Sequence, residues 1–289
     1  MRKVIIPGVL LLCVLLMAAC GNPTGSSSVD HAAGGLPANS VALPAEVTLL
    51  CRIVDGAADG DLLLAEQGEN RHGVYLLPVE GLGVTLDGKA ATAADLQDGM
   101  LVEVFYDGMV LESFPGRLPN AVGLAAATPD GGGLTDLCGL YLQVLEDLWG
   151  RDSGLNSDIS MIGLDLSDAP GDLSPAEKSA IAYRFGQSHG LPTVEGTWDE
   201  LVEQGYITGT PLGNGAPENA KFYEWKDGCL FSISANTQHT GEAYSLPTLF
   251  FDAEKWRSVL GAYFFSDCSV VWPEFGPWTG YNIGGEMIS

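Results

Sequence analysis

The chain has 289 residues, with 13 Lys and Arg against 37 Asp and Glu and a formal net charge of −24. A balance this acidic argues against nucleic acid and anionic lipid, which need partners that neutralise phosphate. The length suffices for one large domain or two ordinary ones, each able to bury a core without metal or disulfide staples, and no motif calls for a cofactor.

Arg2 and Lys3 precede an apolar run from Val4 to Leu16, and then Met17-Ala18-Ala19-Cys20. The charged start and short apolar stretch have the form of an export signal, the stretch being less than the roughly 20 residues of a comfortable span. The small pair before Cys20 resembles the bacterial lipobox. That resemblance implies removal of residues 1–19 and acylation of Cys20, with diacylglyceryl and palmitate-type chains holding the protein at the extracytoplasmic face of the membrane. Two acyl chains make a stable anchor where one holds only marginally. The mature charge becomes 11 − 37 = −26. A plain secretory peptide cut near Ala19, or an uncleaved N-terminal helix, would put the chain on the same side.

Residues 20–44 are rich in Gly, Ser, Pro and Asn and read as a flexible tether. Segment 45–127 then has the texture of strand and turn. Strands are expected at Val47–Val54, Leu62–Leu64, Gly73–Pro78, Val84–Leu86 and Met100–Tyr106, with Asp87-Gly88 as a hairpin turn. Thr92 to Leu96 reads as one helical turn, capped by Thr92 and Asp95. After Asp107-Gly108, Met109–Pro115 is expected to be the strand partner of Met100–Tyr106. Five or six short strands around one helical turn predict a small Greek-key barrel of the OB type.

The order of Leu96 through Pro115 and Leu118-Pro119-Asn120-Ala121-Val122 resembles small OB-like domains of uncharacterised secreted bacterial proteins. It implies a fold and carries no activity. Such barrels often bind nucleic acid, but Arg52, Arg71, Lys89 and Arg117 do not cluster, so nucleic acid is rejected as a partner.

Residues 128–133, Thr-Pro-Asp-Gly-Gly-Gly, read as a linker to a second, α+β domain at 134–289, with helices first and an antiparallel sheet at its C-terminus. Apolar residues at helical spacing predict a helix from about Leu134 to Trp149. A strand follows at Ile159–Leu166. Asp152, Asn156, Asp158, Asp165 and Asp168 are oxygen ligands of the kind calcium uses, but their spacing does not make the twelve-residue calcium loop, and no metal is assigned. Ser174-Pro175-Ala176-Glu177 and Thr197-Trp198-Asp199-Glu200 are capping boxes that start two further helices. Asp227-Gly228 between Lys221–Lys226 and Cys229–Ser234 reads as a hairpin. Asp252 caps a short helix through Leu260, carrying Trp256, Val259 and Leu260 inward. Ala262–Phe265, Ser269–Trp272 and the aromatic tail from Trp278 to Gly285 are strand material. Glu254–Ser258 with Gly261–Tyr263, and the closing Trp278-x-x-Tyr281-x-Ile283-Gly284, resemble motifs in uncharacterised lipid-anchored proteins of Gram-positive anaerobic gut bacteria.

Cys51, Cys138, Cys229 and Cys268 remain after the signal and anchor, without Cys-x-x-Cys spacing. Three pairings are open, and Cys229 with Cys268 is the simplest; burial as free thiols is the alternative. No nucleophile elbow, His-Glu-x-x-His or phosphate loop occurs. His189 and His239 are isolated, as is His72, and His31 falls in the tether. Glu224, Glu242 and Glu274 are candidate acids for glycoside hydrolysis, which needs two carboxyl groups in a groove. Tyr223, Trp225, Trp272 and Trp278 are candidate ligand-binding aromatics. These residues predict a surface protein that binds a glycan, a peptide or another surface protein without catalysis; the alternative is a carbohydrate-active hydrolase.

Overall fold

The computed structural model describes residues 47–289 apart from 58–60, 70, 129–135, 214, 216, 218–219, 240–247, 272–277 and 279. The signal sequence, Cys20, the tether and all of the 128–133 linker except Thr128 lie outside the described residues.

One sheet is built from β1 (Val47–Asp55), β2 (Asp61–Glu66), β3 (Val74–Pro78), β4 (Gly83–Leu86), β5 (Lys89–Ala91), β6 (Leu101–Tyr106), β7 (Gly116–Arg117) and β8 (Gly123–Ala126). Its order is β5-β4-β8-β6-β1-β2-β3-β7. Strands β1, β2, β3, β4 and β6 fall close to where the sequence puts them and β5, β7 and β8 are additions to it, but the barrel does not form: the sheet is open, with β5 and β7 as its edges. The reason lies in the pairing. Met109–Pro115 is not a strand, and β6 pairs with β1 and β8 instead. The late segments return as parallel additions, β8 on β4 and the two-residue β7 on β3. Edge strands of two and three residues are too short to zip the sheet closed. The β4–β5 hairpin forms as expected, with Asp87 and Gly88 at φ 50° and 72°.

Strand β2 is apolar on both faces. Leu62 and Leu64 enter the core enclosed by this sheet, while Leu63 and Ala65 join Val54 and Val74 against the helices. An unbroken Leu-Leu-Leu-Ala run is the sequence mark of a strand buried on two sides.

The helices are α1 (Leu137–Gly150), α2 (Pro175–His189) and α3 (Trp198–Glu203). Strands β9 (Met161–Asp165) and β10 (Thr193–Glu195) lie among them, so the expected order of helices first and sheet afterwards is overturned. Next come β11 (Thr208–Pro211), β12 (Lys221–Glu224), β13 (Gly228–Ala235), β14 (Thr248–Ser258), β15 (Gly261–Val271) and β16 (Gly285–Ile288). In the second sheet β9 lies parallel between β10 and β13; β13 pairs with β14, and β15 and β16 follow antiparallel. The unit β9-α2-β10 is a parallel strand pair joined through a helix.

Two further expectations fail for identifiable reasons. Asp227-Gly228 is not a hairpin turn: β12 and β13 both run antiparallel to β14, successive segments along one edge, with Glu224 opposite Ser258 and Leu230 opposite Trp256. Asp252–Leu260 is not a helix. Phe251, Ala253 and Lys255 are buried in strand alternation, but the lysine among them breaks the apolar period 2, while Val259 and Leu260 are exposed at the turn into β15.

Both capping boxes form. Ser174 accepts from Glu177 N and Thr197 from Glu200 N, and Gly190 ends α2 at φ 65°. Helices α1 and α2 form a layer with the second sheet on one side and β1–β3 on the other. The opposite face of the second sheet carries a smaller core of Leu201, Ile207, Trp225, Leu230, Trp256 and Ala262, closed in part by α3. Among the described residues the three cores draw on Leu49 onward, and Pro44–Ser289 forms one compact unit.

Candidate functional site

The carboxyl ends of parallel β9 and β10 are held level, with Leu164 opposite Glu195 and Gly196 N donating to Leu164 O at 3.1 Å. The chain leaves β9 through Asp165-Leu166-Ser167 and β10 through Glu195-Gly196-Thr197. Lys178 of α2 and Glu200 of α3 complete a concavity of about 290 Å³. In sheets with parallel strands, this end is where loops and helix starts converge and ligands bind.

Each polar wall is fixed locally. Asp165 Oδ1 accepts from Ser167 N at 2.9 Å and Ser167 Oγ at 2.7 Å, and Lys178 Nζ donates to Ser167 O at 3.3 Å. Burial raises the Glu195 carboxyl above its usual range, partly offset by a hydrogen bond with Ser179 and by the charge of Lys178. The Thr197 N–H and hydroxyl, donating at 2.8 and 3.0 Å, hold Glu200 below it. Three carboxyl groups, one ammonium and two hydroxyls line the space beside Leu164 and Leu166. Acceptors outnumber donors, which suits a small ligand rich in hydroxyl or amine groups.

A second concavity, about 230 Å³, lies on the face of the second sheet that carries the smaller core, among Ser232, Ser234, Asp252, Glu254, Phe264, Ser266 and Met287. Burial raises the Glu254 carboxyl. The sheet is bulged here, because Phe251 pairs with Cys268 but Ala253 pairs with Phe265. Asp252 Oδ1 accepts from Asp267 N at 2.8 Å and from Asn236 Nδ2 at 3.1 Å, and the same amide donates to Asp267 Oδ1 at 2.9 Å. These internal bonds make the cluster a bulge support.

The residues singled out in the sequence are dispersed. Trp225 is fully buried, and Tyr223 is half-buried edge-on to Trp198. Trp278 donates from Nε1 to Asp136 O at 3.0 Å, and Trp272 lies outside the described residues. Glu224 sits at the end of β12, 3.8 Å from Lys226; Glu242 and Glu274 are outside the described residues. His189 stacks on Trp149 at 3.7 Å with Nε2 3.1 Å from Glu146, and His239 stacks on Phe250 at 4.1 Å. Cys51, Cys138, Cys229 and Cys268 are buried free thiols. The Cys229–Cys268 bridge is not made. The two lie on β13 and β15, on either side of β14, at least about 10 Å apart by strand spacing, beyond the roughly 7 Å that a disulfide spans. Of the calcium-type oxygens Asp165 lines the cleft, and the described residues hold no group of three or more His, Cys, Asp or Glu placed to bind a metal ion.

Glu195, Lys178 and Ser167 were not legible as site residues, because β10 is only three residues long and gives no strand signal. Thr197 and Glu200 were legible as a helix cap, and the structure adds that the cap forms one wall of the cavity. The fold and site define a protein of two open sheets sharing a helical layer, with a small acidic cleft at the carboxyl end of a parallel strand pair. No family model, no curated protein and no solved structure matches the chain.

Proposed function

We propose that the protein is a lipid-anchored, extracytoplasmic binding protein whose β9–β10 cleft takes a small polyhydroxylated or amine-bearing ligand, such as a sugar or amino sugar of a surface glycan. The observation that carries this reading is the cleft itself, in which Asp165, Glu195, Glu200 and Lys178 come from separate elements. Its volume is at the low end of ligand sites, and so suits one sugar unit. The anchor is supported by Arg2-Lys3, the apolar run and Ala18-Ala19-Cys20; no described helix is long and apolar enough to cross a membrane. Titration calorimetry of the 44–289 fragment against neutral sugars, amino sugars and simple amines tests the cleft. A ligand is expected whose affinity falls about tenfold or more in Glu195→Gln or Lys178→Ala, for a lost charge-assisted hydrogen bond. Unchanged affinity in both variants removes this site. Intact mass of the protein from its native membrane tests the anchor, which fails if residues 1–19 are retained or no acyl chain is found.

One observation favours a second reading, hydrolysis by paired carboxylates. Glu195 and Glu200 share the cleft, and their surroundings push their ionisation in opposite directions. A general acid and its anionic partner need this division. Release of reducing sugar from glycans, abolished by either Glu→Gln change, would establish it; its absence with binding retained leaves the binding role.

A further inference from the structure

Met109–Phe114, the greater part of the Met109–Pro115 segment expected to be a strand, is an apolar loop displayed to solvent. Met109 is 51% exposed and Phe114 64%; Val110 and Leu111 are exposed as well. The loop is held in shape. Asp107 accepts from Met109 N at 2.9 Å and from Asn120 Nδ2 at 2.7 Å, Leu111 N donates to Arg117 O at 2.9 Å, Ser113 Oγ donates to Pro115 O at 2.7 Å, and Phe114 meets the Tyr183 ring edge-on. A fixed loop that presents several large apolar side chains marks an interaction surface.

The chain's own connectivity says what it faces. Val47, the first described residue, is exposed and pairs with Tyr106; a Cβ at Gly108 would lie 3.5 Å from its side chain. The apolar loop therefore begins beside the point where the folded body joins the 26 residues that separate it from Cys20. We propose that this loop is a second membrane contact, Met109, Leu111 and Phe114 resting in the interfacial layer of the bilayer that holds the acyl chains. The inference rests on the anchoring proposed above. A peripheral contact of this kind gains from buried apolar area and is too weak to hold without an anchor. With Asp107 and Glu112 in the loop and a net charge of −26 after removal of residues 1–19, the lipid it fits is zwitterionic.

Hydrogen exchange read by mass spectrometry tests this on the full acylated chain in phosphatidylcholine vesicles, with the Cys20→Ser chain in solution as reference. Peptides over 107–117 are expected to exchange about tenfold or more slowly on vesicles, while those over α3 do not change. In Leu111→Ser/Phe114→Ser, anchored in the same way, the protection is expected to disappear. Equal exchange in the two states overturns the proposal. So does protection of the same peptides in the Cys20→Ser chain that grows with protein concentration, which would make a second copy the occupant. The N-terminal peptide in the same spectra reports whether Cys20 is acylated. A chain found without lipid is attached through Cys20 to a maleimide-headgroup lipid, so a missing anchor and an unoccupied loop are told apart.

Discussion

Arg52 on β1 places its Nε 2.6 Å from Glu177 Oε1 on α2, and this ion pair joins the first sheet to the helical layer. Glu177 is buried, and its other oxygen accepts from Ser174 N at 2.7 Å, closing the capping box; Arg52 Nη1 donates to Gly99 O at 2.8 Å. One carboxylate thus starts a helix and ties it to a strand 125 residues away. Removing it takes the carboxylate from a partly buried guanidinium as well as from a helix end. Glu177→Ala is expected to cost about 2–4 kcal/mol, roughly 5–15 °C in melting temperature for a body of this size. Ser174→Ala, which removes only the cap, is expected to cost about 1 kcal/mol. Thermal melts of the two variants decide it: equal losses would mean that the pair with Arg52 contributes nothing.

Gly163 in the middle of β9 is a packing requirement. A Cβ there would lie 2.5 Å from the Trp225 ring, and one at Gly228 would lie 2.1 Å from it. The indole lies flat over both glycines, which is how a large ring becomes 1% exposed on a sheet face closed only in part by α3. Gly163→Ala must displace the ring, and a loss of about 1–3 kcal/mol is expected, as for an overpacked core. Restoring space with Trp225→Leu in the same chain is expected to recover part of it. Denaturant midpoints of the single and double variants provide the measurement; simple additivity would place the strain elsewhere.

This pair of positions also shows what local patterns carry and what they leave out. Caps and short strands were legible because their causes are local: Ser174 with Glu177, the alternation of β6, positive φ at Asp87-Gly88. Pairing is decided at a distance. Nothing near Asp227-Gly228 states that Trp225 must turn under Gly163 while the strand continues along β14, so the two residues look like a hairpin turn. Lys255 misleads in the same way, since a lysine in a buried alternation is explained only by the end of α1, over 100 residues earlier. The cleft was half legible. Thr197 and Glu200 announce a helix start, but the helix crossover that brings Asp165 beside Glu195 belongs to the sheet order.

Asp136, the N-cap of α1, gives the stability an identifiable pH dependence. It accepts from Gly139 N at 2.8 Å, yet burial raises its carboxyl from 3.8 to about 6. The folded state therefore binds a proton that the unfolded chain has released. The contribution is fully present below about pH 4 and lost as pH rises through about 6, in total up to about 3 kcal/mol. Asp136→Asn keeps a good cap and removes the titration. Unfolding free energies between pH 4 and 7 are expected to fall less steeply in the variant, by an amount that closes near pH 4. Parallel profiles would show that Asp136 does not titrate in this range.

Lys255 on β14 is fully buried and points its Nζ at the carboxyl end of α1, donating to Trp149 O at 3.5 Å, Asp152 O at 3.2 Å and Arg151 O. The negative end of the helix and three carbonyls favour the ammonium, and removal from water opposes it. Burial wins, lowering the group below the usual lysine value of 10.5. Lys255→Met still destabilises, because Arg151 O loses its donor, whereas Trp149 O keeps the Asn156 amide at 2.8 Å and Asp152 O keeps Leu155 N at 3.1 Å. One orphaned carbonyl, less the desolvation that is relieved, leaves a loss of about 1–2 kcal/mol. The pH trend separates the two effects. A lysine depressed in the fold gives up its proton before the unfolded chain does, so the advantage of the native protein over Lys255→Met is expected to grow as pH rises toward 10.5. Chemical unfolding at pH 7 and pH 10 reads this directly, and an advantage that shrank with pH would show that the carbonyl cage outweighs burial.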